Sequence, residues 1–422
     1  MMKYLIIGNS AAGINAADAI RMNDNKGNIK IISREKFRAY GRPLISYYLS
    51  GKVSPENMYY RSENYFKSKN IEVLLNVEAE NIDLKNKEVA TIGGGKIAYD
   101  KLLIATGSGP FIPHIKGLDM CKQENVFTFL TYEDAIKLKK KITKKSKVIV
   151  AGAGFIGLKA AEGLFGQVGS ITVVDLADRV MASILDKQSA DIVQTHMEQN
   201  NINFKLKTSV CEIYGKNNVS TVALSNNEIL DCDILVIAVG VRPNIDIANT
   251  INLKTKDGII VNEYMQTSKR DVYAAGDCVE SLDLFSGDSK VFALWSSASN
   301  QGEVAGFNMA SVEMKAPMVF AVNAISFFGL QLISAGVVNA STSNNIVLDL
   351  VKSELCRLNI LNDNLVGFVL INCEQRAGIY TALISDRVKL SELDYDITSR
   401  DVGFSVYSKD ERTKKYWEPC KR

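Results

Sequence analysis

Residues 3–22 read KYLIIGNSAAGINAADAIRM, and residues 147–175 read KVIVAGAGFIGLKAAEGLFGQVGSITVVD. In the first, KYLII is a short apolar strand, Gly8 to Gly13 a glycine-bounded turn, and the alanine-rich run to about Met22 a helix. A second strand, NIKIIS, follows at 28–33, which closes a strand–turn–helix–strand unit of about 30 residues. The second stretch repeats that order with KVIVA, a turn, LKAAEGLF and SITVVD. The spacing of about 140 residues is too wide for a solenoid repeat, so two separate α/β units are expected.

A turn of this kind brings backbone N–H groups and a helix N-terminus up to a pyrophosphate. Gly8 serves the tight turn and Gly13 the close packing of helix on strand, with Ala11 and Ala12 opening the helix. Ser10 stands where a middle glycine is usual; its hydroxyl can still donate to a phosphate. Glu35, about 22 residues after Gly13, is placed to accept ribose hydroxyls. A glycine turn of another α/β fold, and a Glu35 paired with Arg34 or Lys36, are the plainer alternatives. The second turn is a complete GxGxxG, Gly152-Ala153-Gly154-Phe155-Ile156-Gly157, with Asp175 about 18 residues on. A carboxylate there accepts ribose hydroxyls and repels a 2′-phosphate, so NADH is expected over NADPH, a preference that the nearby Arg179 would soften.

The 422-residue length suggests two to four domains, and 46% hydrophobic with 23% charged residues is a globular composition. A net charge of +3 argues against a nucleic-acid binder. The seven cysteines include no C-x-x-C pair, which disfavours a zinc site, an iron–sulfur cluster or a thioredoxin-type couple and fits the cytoplasm. The first apolar run is too short for a signal peptide, and no run approaches the ~18 apolar residues of a membrane span. His114 and His196 are too few and too far apart to suggest a metal site. Seven lysines at 137–147 read as a solvated helix or as a docking patch for an acidic partner.

Further strands end in their own punctuation: KLLIATG at 101–107, DILVIAVGVRPN at 233–244 and DVYAAGD at 271–277. Beyond about 318 short alternating runs predict a mostly antiparallel sheet, and a lysine-rich tail closes the chain.

The order GNSAAG, IATG, GAGFIG, AVGVRPN, AAGD resembles the FAD-dependent pyridine-nucleotide oxidoreductases, over roughly residues 3–390. YGRPLIS at 40–46 and the run from LVGFVLIN to RAGIYTALI at 365–384 are similar to the NADH:rubredoxin oxidoreductase and nitrite-reductase flavoprotein branch. The resemblance implies two Rossmann-like (glutathione-reductase-like) dinucleotide-binding domains and a C-terminal α+β interface domain. It places an FAD domain at 1–118 and 246–317, an NADH domain at 119–245, the interface domain at 318–400 and a tail at 401–422.

It also implies an FAD site that takes in Arg42, Pro43, Ala79, Ala105, Thr106, Gly107, Gly276 and Asp277, and puts Gly240 at the NADH site. Asp277 would hydrogen-bond the ribitol chain; a helix N-cap is its plainer role, and a small buried side chain that of Cys278. The helix at 294–310 would cover the flavin. Tyr40 stands where several relatives carry a redox cysteine, and Lys159 where many carry an acid facing the nicotinamide; both would neighbour the flavin. A Lys159–Glu162 pair is the plainer reading of the latter. The cofactor carries the hydride chemistry, so no catalytic acid, base or nucleophile is expected. Electrons would pass from NADH through FAD to an external rubredoxin or ferredoxin-type iron–sulfur protein. An NADH oxidase acting on oxygen and a non-catalytic redox-sensing flavoprotein are the alternatives, and the C-terminal domain leaves a homodimer open.

Overall fold

A computed structural model describes residues 1–119, 123–338, 344–351 and 354–399. Cys121, Cys420, Trp417 and the 401–422 tail lie outside the described residues. Short hairpins and short helices, among them Ile45–Leu49, aside, the chain begins β1 (Lys3–Ile7), α1 (Ala11–Asn23), β2 (Asn28–Ser33), β3 (Ile71–Leu75), β4 (Lys101–Ile104). It continues β5 (Val126–Thr128), α2 (Tyr132–Lys141), β6 (Lys147–Ala151), α3 (Phe155–Leu164), β7 (Ser170–Val174), α4 (Lys187–Gln199), β8 (Ile202–Lys205), β9 (Ile234–Ile237). Then come β10 (Val272–Ala274) and α5 (Trp295–Met309). The last part holds β11 (Val322–Phe327), β12 (Leu330–Gly336), β13 (Asn344–Val351), β14 (Glu354–Leu361), β15 (Asn364–Ile371) and α6 (Ala377–Ser385).

Two parallel sheets follow from the two quoted stretches. The first has the order β10-β4-β1-β2-β3, the second β8-β7-β6-β9-β5. After an exposed first lysine, Lys3 or Lys147, both central strands are buried because both faces are covered. Tyr4 and Ile6 pack into one core and Leu5 and Ile7 into another, as successive side chains of a strand point to opposite faces. Val148 and Val150 divide from Ile149 and Ala151 in the same way.

The glycine turns repeat each other in atomic detail. Gly8 has φ +127° and Gly152 φ +113°, backbone that only glycine adopts readily. A Cβ at Gly13 would fall 2.0 Å from the Gly8 carbonyl oxygen, and one at Gly157 1.9 Å from that of Gly152. The last glycine of each turn therefore lets the helix close onto its own turn. Helix α5 lies against α1 by the same device: Cβ atoms at Gly302 and Gly306 would sit 2.1 Å and 2.4 Å from the Ala12 and Ala16 carbonyl oxygens.

The last five strands form an antiparallel sheet in the order β11-β12-β15-β14-β13. One face, with Phe368 and Leu370, packs under α6 against Tyr380 and Leu383. The other, with Val369 and Ile371, joins the core of the second parallel-sheet unit. The C-terminal sheet is thus built onto that unit.

Candidate functional site

A cavity of about 540 Å³ opens at the carboxyl ends of β1, β2, β4 and β10, the place where open α/β sheets hold ligands. Of the residues expected at the first dinucleotide, Gly8, Ser10, Ala11, Ala12, Glu35, Arg42, Pro43, Ala79, Ala105, Thr106, Gly107, Gly276 and Asp277 all line it. Gly13 does not; its place is the helix–turn contact described above. Tyr40 and Lys159 line it as well. From the second turn only Phe155 and Ile156 reach it, so the tip of α3 is a wall shared by the two units; Gly152, Gly154, Gly157, Asp175 and Gly240 stand outside its lining.

Glu35 pairs with neither Arg34 nor Lys36. Its carboxylate forms an ion pair with Arg42 and accepts the Tyr40 hydroxyl at 2.7 Å, while Lys36 reaches Glu133. Arg42 also donates to the Leu130 carbonyl at 3.2 Å, and the Tyr40 oxygen accepts the Tyr132 N–H at 3.1 Å. That N–H belongs to the first turn of α2 and has no partner within the helix. Burial pushes the Tyr40 phenol well up, so it remains a neutral donor. No local sequence signal announces this contact: Tyr132 lies 92 residues from Tyr40.

The IATG and AVGVRPN motifs are partners. Strands 108–110 and 241–243 pair antiparallel, the Thr106 hydroxyl donates to the Asn244 carbonyl at 2.7 Å, and the Asn244 amide returns to the Thr106 carbonyl at 2.9 Å. Asp277 is no helix cap. It accepts the Ser108 hydroxyl at 2.9 Å, and burial pushes its carboxyl up, more than Ser108 and the Arg42 charge pull it down. Its neighbour Gly276 is tied to α5, donating its N–H to Gln301 Oε1 at 2.7 Å. Cys278 turns away, fully buried, with Sγ donating to the carbonyls of Ile104 and Ala275. Among the described residues no cysteine lines the cavity.

At the second turn the Asp175 carboxylate accepts the Ala153 N–H at 2.6 Å and the Ala177 N–H at 2.8 Å, which holds it beside the GxGxxG backbone. Among the described residues a Cβ at Gly154 would meet nothing within 4 Å. Arg179 is turned onto Asp178 and the Leu185 carbonyl. Most of the 137–147 lysines are engaged, Lys137 with Glu133, Lys139 with the Tyr48 carbonyl, Lys141 with Glu124 and Lys147 with Asp231, but the helix ends at Lys141 and Lys147 already belongs to β6. His114 is exposed, and His196 on α4 lies 3.4 Å from the Phe328 carbonyl. Among the described residues no group of three or more potential ligands could hold a metal ion, and no helix is long and apolar enough to cross a membrane.

The cavity suits a long, polar-ended ligand. Among the described residues the Ser10 hydroxyl makes no capping bond on α1, the Asn9 Oδ1 and Ser46 Oγ are buried without a partner, and Gly107 faces open space. Two glycine turns of one design, their helices converging on one cleft, define an enzyme that handles two dinucleotides.

Comparison with known proteins agrees. Residues 2–302 match the model of the pyridine nucleotide-disulphide oxidoreductases. The NADH oxidase of Methanocaldococcus jannaschii is 36% identical over 323 residues, 74% of this chain and 71% of that protein. The rubredoxin-NAD(+) reductase of Pseudomonas putida is 30% identical over 318 residues, 75% of this chain and 82% of that protein. The solved NAD-dependent persulfide reductase from A. fulgidus superposes with a TM-score of 0.86 at 29% identity, over 94% of this chain and 79% of that one. The chain belongs to the pyridine nucleotide-disulphide oxidoreductase family. It is an oxidoreductase with the cofactors FAD and NADH, and it moves electrons from NADH by way of FAD.

Proposed function

We propose that the chain delivers electrons from NADH to a small iron–sulfur protein of rubredoxin or ferredoxin type, with no cysteine relay. Residues 1–118 with 246–317 form the FAD domain in this reading, 119–245 the NADH domain and 318–400 the interface domain. FAD, when bound, accepts a hydride and can release its electrons singly. The chain's own residues orient and enclose. The Gly8–Ala12 turn presents backbone N–H groups and the Ser10 hydroxyl to a pyrophosphate. Arg42 and Tyr40 take one oxygen each of Glu35. A carboxylate has about four acceptor sites, which leaves Glu35 free to accept ribose hydroxyls. Asp277, steadied by Ser108, offers an acceptor to the ribitol chain, and Asp175 does the same for the ribose of NADH. Phe155 and Ile156 form the wall between the two nucleotides.

One observation carries the external acceptor. Trp295 lines the cavity, is 36% exposed, and packs edge-on against Tyr60 at 5.5 Å, so an aromatic side chain joins the cavity to the surface. The relationship to a rubredoxin-NAD(+) reductase supports the same acceptor class. The test is stopped-flow reduction of rubredoxin and of a [2Fe–2S] ferredoxin by NADH and the flavin-loaded chain. Reduction of at least one, saturable and faster than by free flavin, is expected; reduction of neither removes the proposal.

The relationship to an NADH oxidase favours a second reading, direct transfer to oxygen with peroxide as product. Oxygen consumption that saturates with NADH and outpaces every protein acceptor would select it.

A further inference from the structure

Lys159 stands one turn into α3, its side chain only 12% exposed, with that of Glu162 at 9%. The two form an ion pair. The Lys159 ammonium also donates to the Ser326 carbonyl at 3.2 Å and lies 4.4 Å from the centroid of the Tyr47 ring. The second Glu162 oxygen accepts the Phe328 N–H at 2.9 Å. Partners from the helix at 45–49, from the end of β11 and from the turn after it thus enclose one buried pair on α3. Apolar side chains of similar volume would fill the space without the cost of taking two charges out of water. Only one end of the pair meets the cavity: Lys159 is part of its lining, together with Tyr47 and Ser326, and Glu162 is not.

We propose that Lys159 and Glu162 form a fixed dipole that sets the reduction potential of the flavin, Lys159 presenting the positive end to the cavity and Glu162 acting as the positioning residue that holds it there. This rests on the cavity being the FAD site. Hydride transfer moves one proton and two electrons together, leaving NAD⁺ and adding one negative charge to the flavin. A positive charge held in a poorly solvated wall favours that added charge, and more strongly than it would in water. The clasp on the Ser326 carbonyl and the Phe328 N–H makes the C-terminal sheet part of the device, since it keeps the ammonium from swinging out to solvent.

The test is a spectroelectrochemical titration of the purified, flavin-loaded chain. Glu162→Gln removes the negative end and raises the midpoint potential. Lys159→Gln removes the positive end, leaves the carboxylate, and lowers it. Each shift is expected to reach a tenfold change in the equilibrium, about 30 mV for a two-electron couple. Lys159→Arg keeps the charge and stays within that margin. Loss of packing alone has no reason to drive the two neutral variants in opposite directions. Shifts of the same sign, or both below the margin, overturn the proposal. If Lys159→Gln fails to fold, a Glu162→Gln potential that does not rise overturns it alone. A wild-type chain that takes up no FAD would overturn the cofactor reading itself, and this inference with it.

Discussion

The Tyr40 hydroxyl bridges two parts of the molecule that the chain keeps far apart: it donates to Glu35 at 2.7 Å and accepts the Tyr132 N–H at 3.1 Å. Tyr40→Phe removes both bonds at once. It leaves the first-turn N–H of α2 buried and unpaired, at a cost of about 1–3 kcal/mol. It also frees the Glu35 carboxylate to follow Arg42 alone. Lower stability in urea and weaker FAD retention are therefore expected together. A variant as stable as wild type would show that water serves that N–H equally well.

Glu35→Gln addresses the other end of the bridge. The amide is close in size and can still accept from Tyr40, but it gives Arg42 no opposite charge and fewer acceptor sites for a ribose. FAD affinity should fall by about tenfold, equivalent to about 1.4 kcal/mol, while Asp175 and the second turn are untouched. The check is flavin fluorescence on titration into apoprotein, with NADH affinity measured beside it. A loss confined to NADH would place the first dinucleotide elsewhere.

Two glycines separate packing from ligand access. A Cβ at Gly302 would press within 2.1 Å of the Ala12 carbonyl, backbone against backbone, so Gly302→Ala must part α5 from α1. Overpacking of this kind costs about 1–3 kcal/mol, occasionally more, and it also displaces Gln301, which holds the Gly276 N–H. At Gly154 the added methyl meets nothing, and φ is −83°. Gly154→Ala should melt with the wild type yet bind NADH more weakly, because the methyl occupies the approach to the turn. Differential scanning calorimetry and NADH titration separate the cases; a destabilised Gly154→Ala variant would refute the assignment.

What could be read along the chain was what the chain builds locally. Gly8, Gly13, Gly152 and Gly157 owe their roles to a turn and the helix that follows it, and the alternation in LVGFVLIN divides β15 between two cores. The Lys159–Glu162 pair was legible from its helical spacing, but its anchors at Ser326 and Phe328 were not. Glu35 invited a local partner and found Arg42 and Tyr40, because the 3₁₀ turn at 42–44 folds back over the end of β2. The cysteines read as scattered, yet Cys356 and Cys373 meet under α6 beside Arg376, where the neighbouring Cys373 thiol draws the Cys356 thiol below its usual range. Nothing in a spacing of seventeen residues marks that meeting, which depends on β14 and β15 lying side by side.

Asp277 offers a test with a sign that reverses between the empty and the loaded protein. Its carboxyl is raised in the folded chain, chiefly by burial. A group of this kind binds its proton more tightly folded than unfolded, so it is harmless at low pH, where both states are protonated. Above the ordinary aspartate value of about 3.9, ionisation favours the unfolded state, and the deficit grows until pH passes the folded value. Asp277→Asn removes that liability and can still accept the Ser108 hydroxyl. In apoprotein the variant should melt above wild type at about pH 8, by a margin that shrinks toward about pH 4. With FAD present the order should invert, because the amide is the poorer acceptor for a ribitol hydroxyl. Melting curves at the two pH values, with and without FAD, decide the matter: a pH-independent margin would mean that the charge of Asp277 is already satisfied without a ligand.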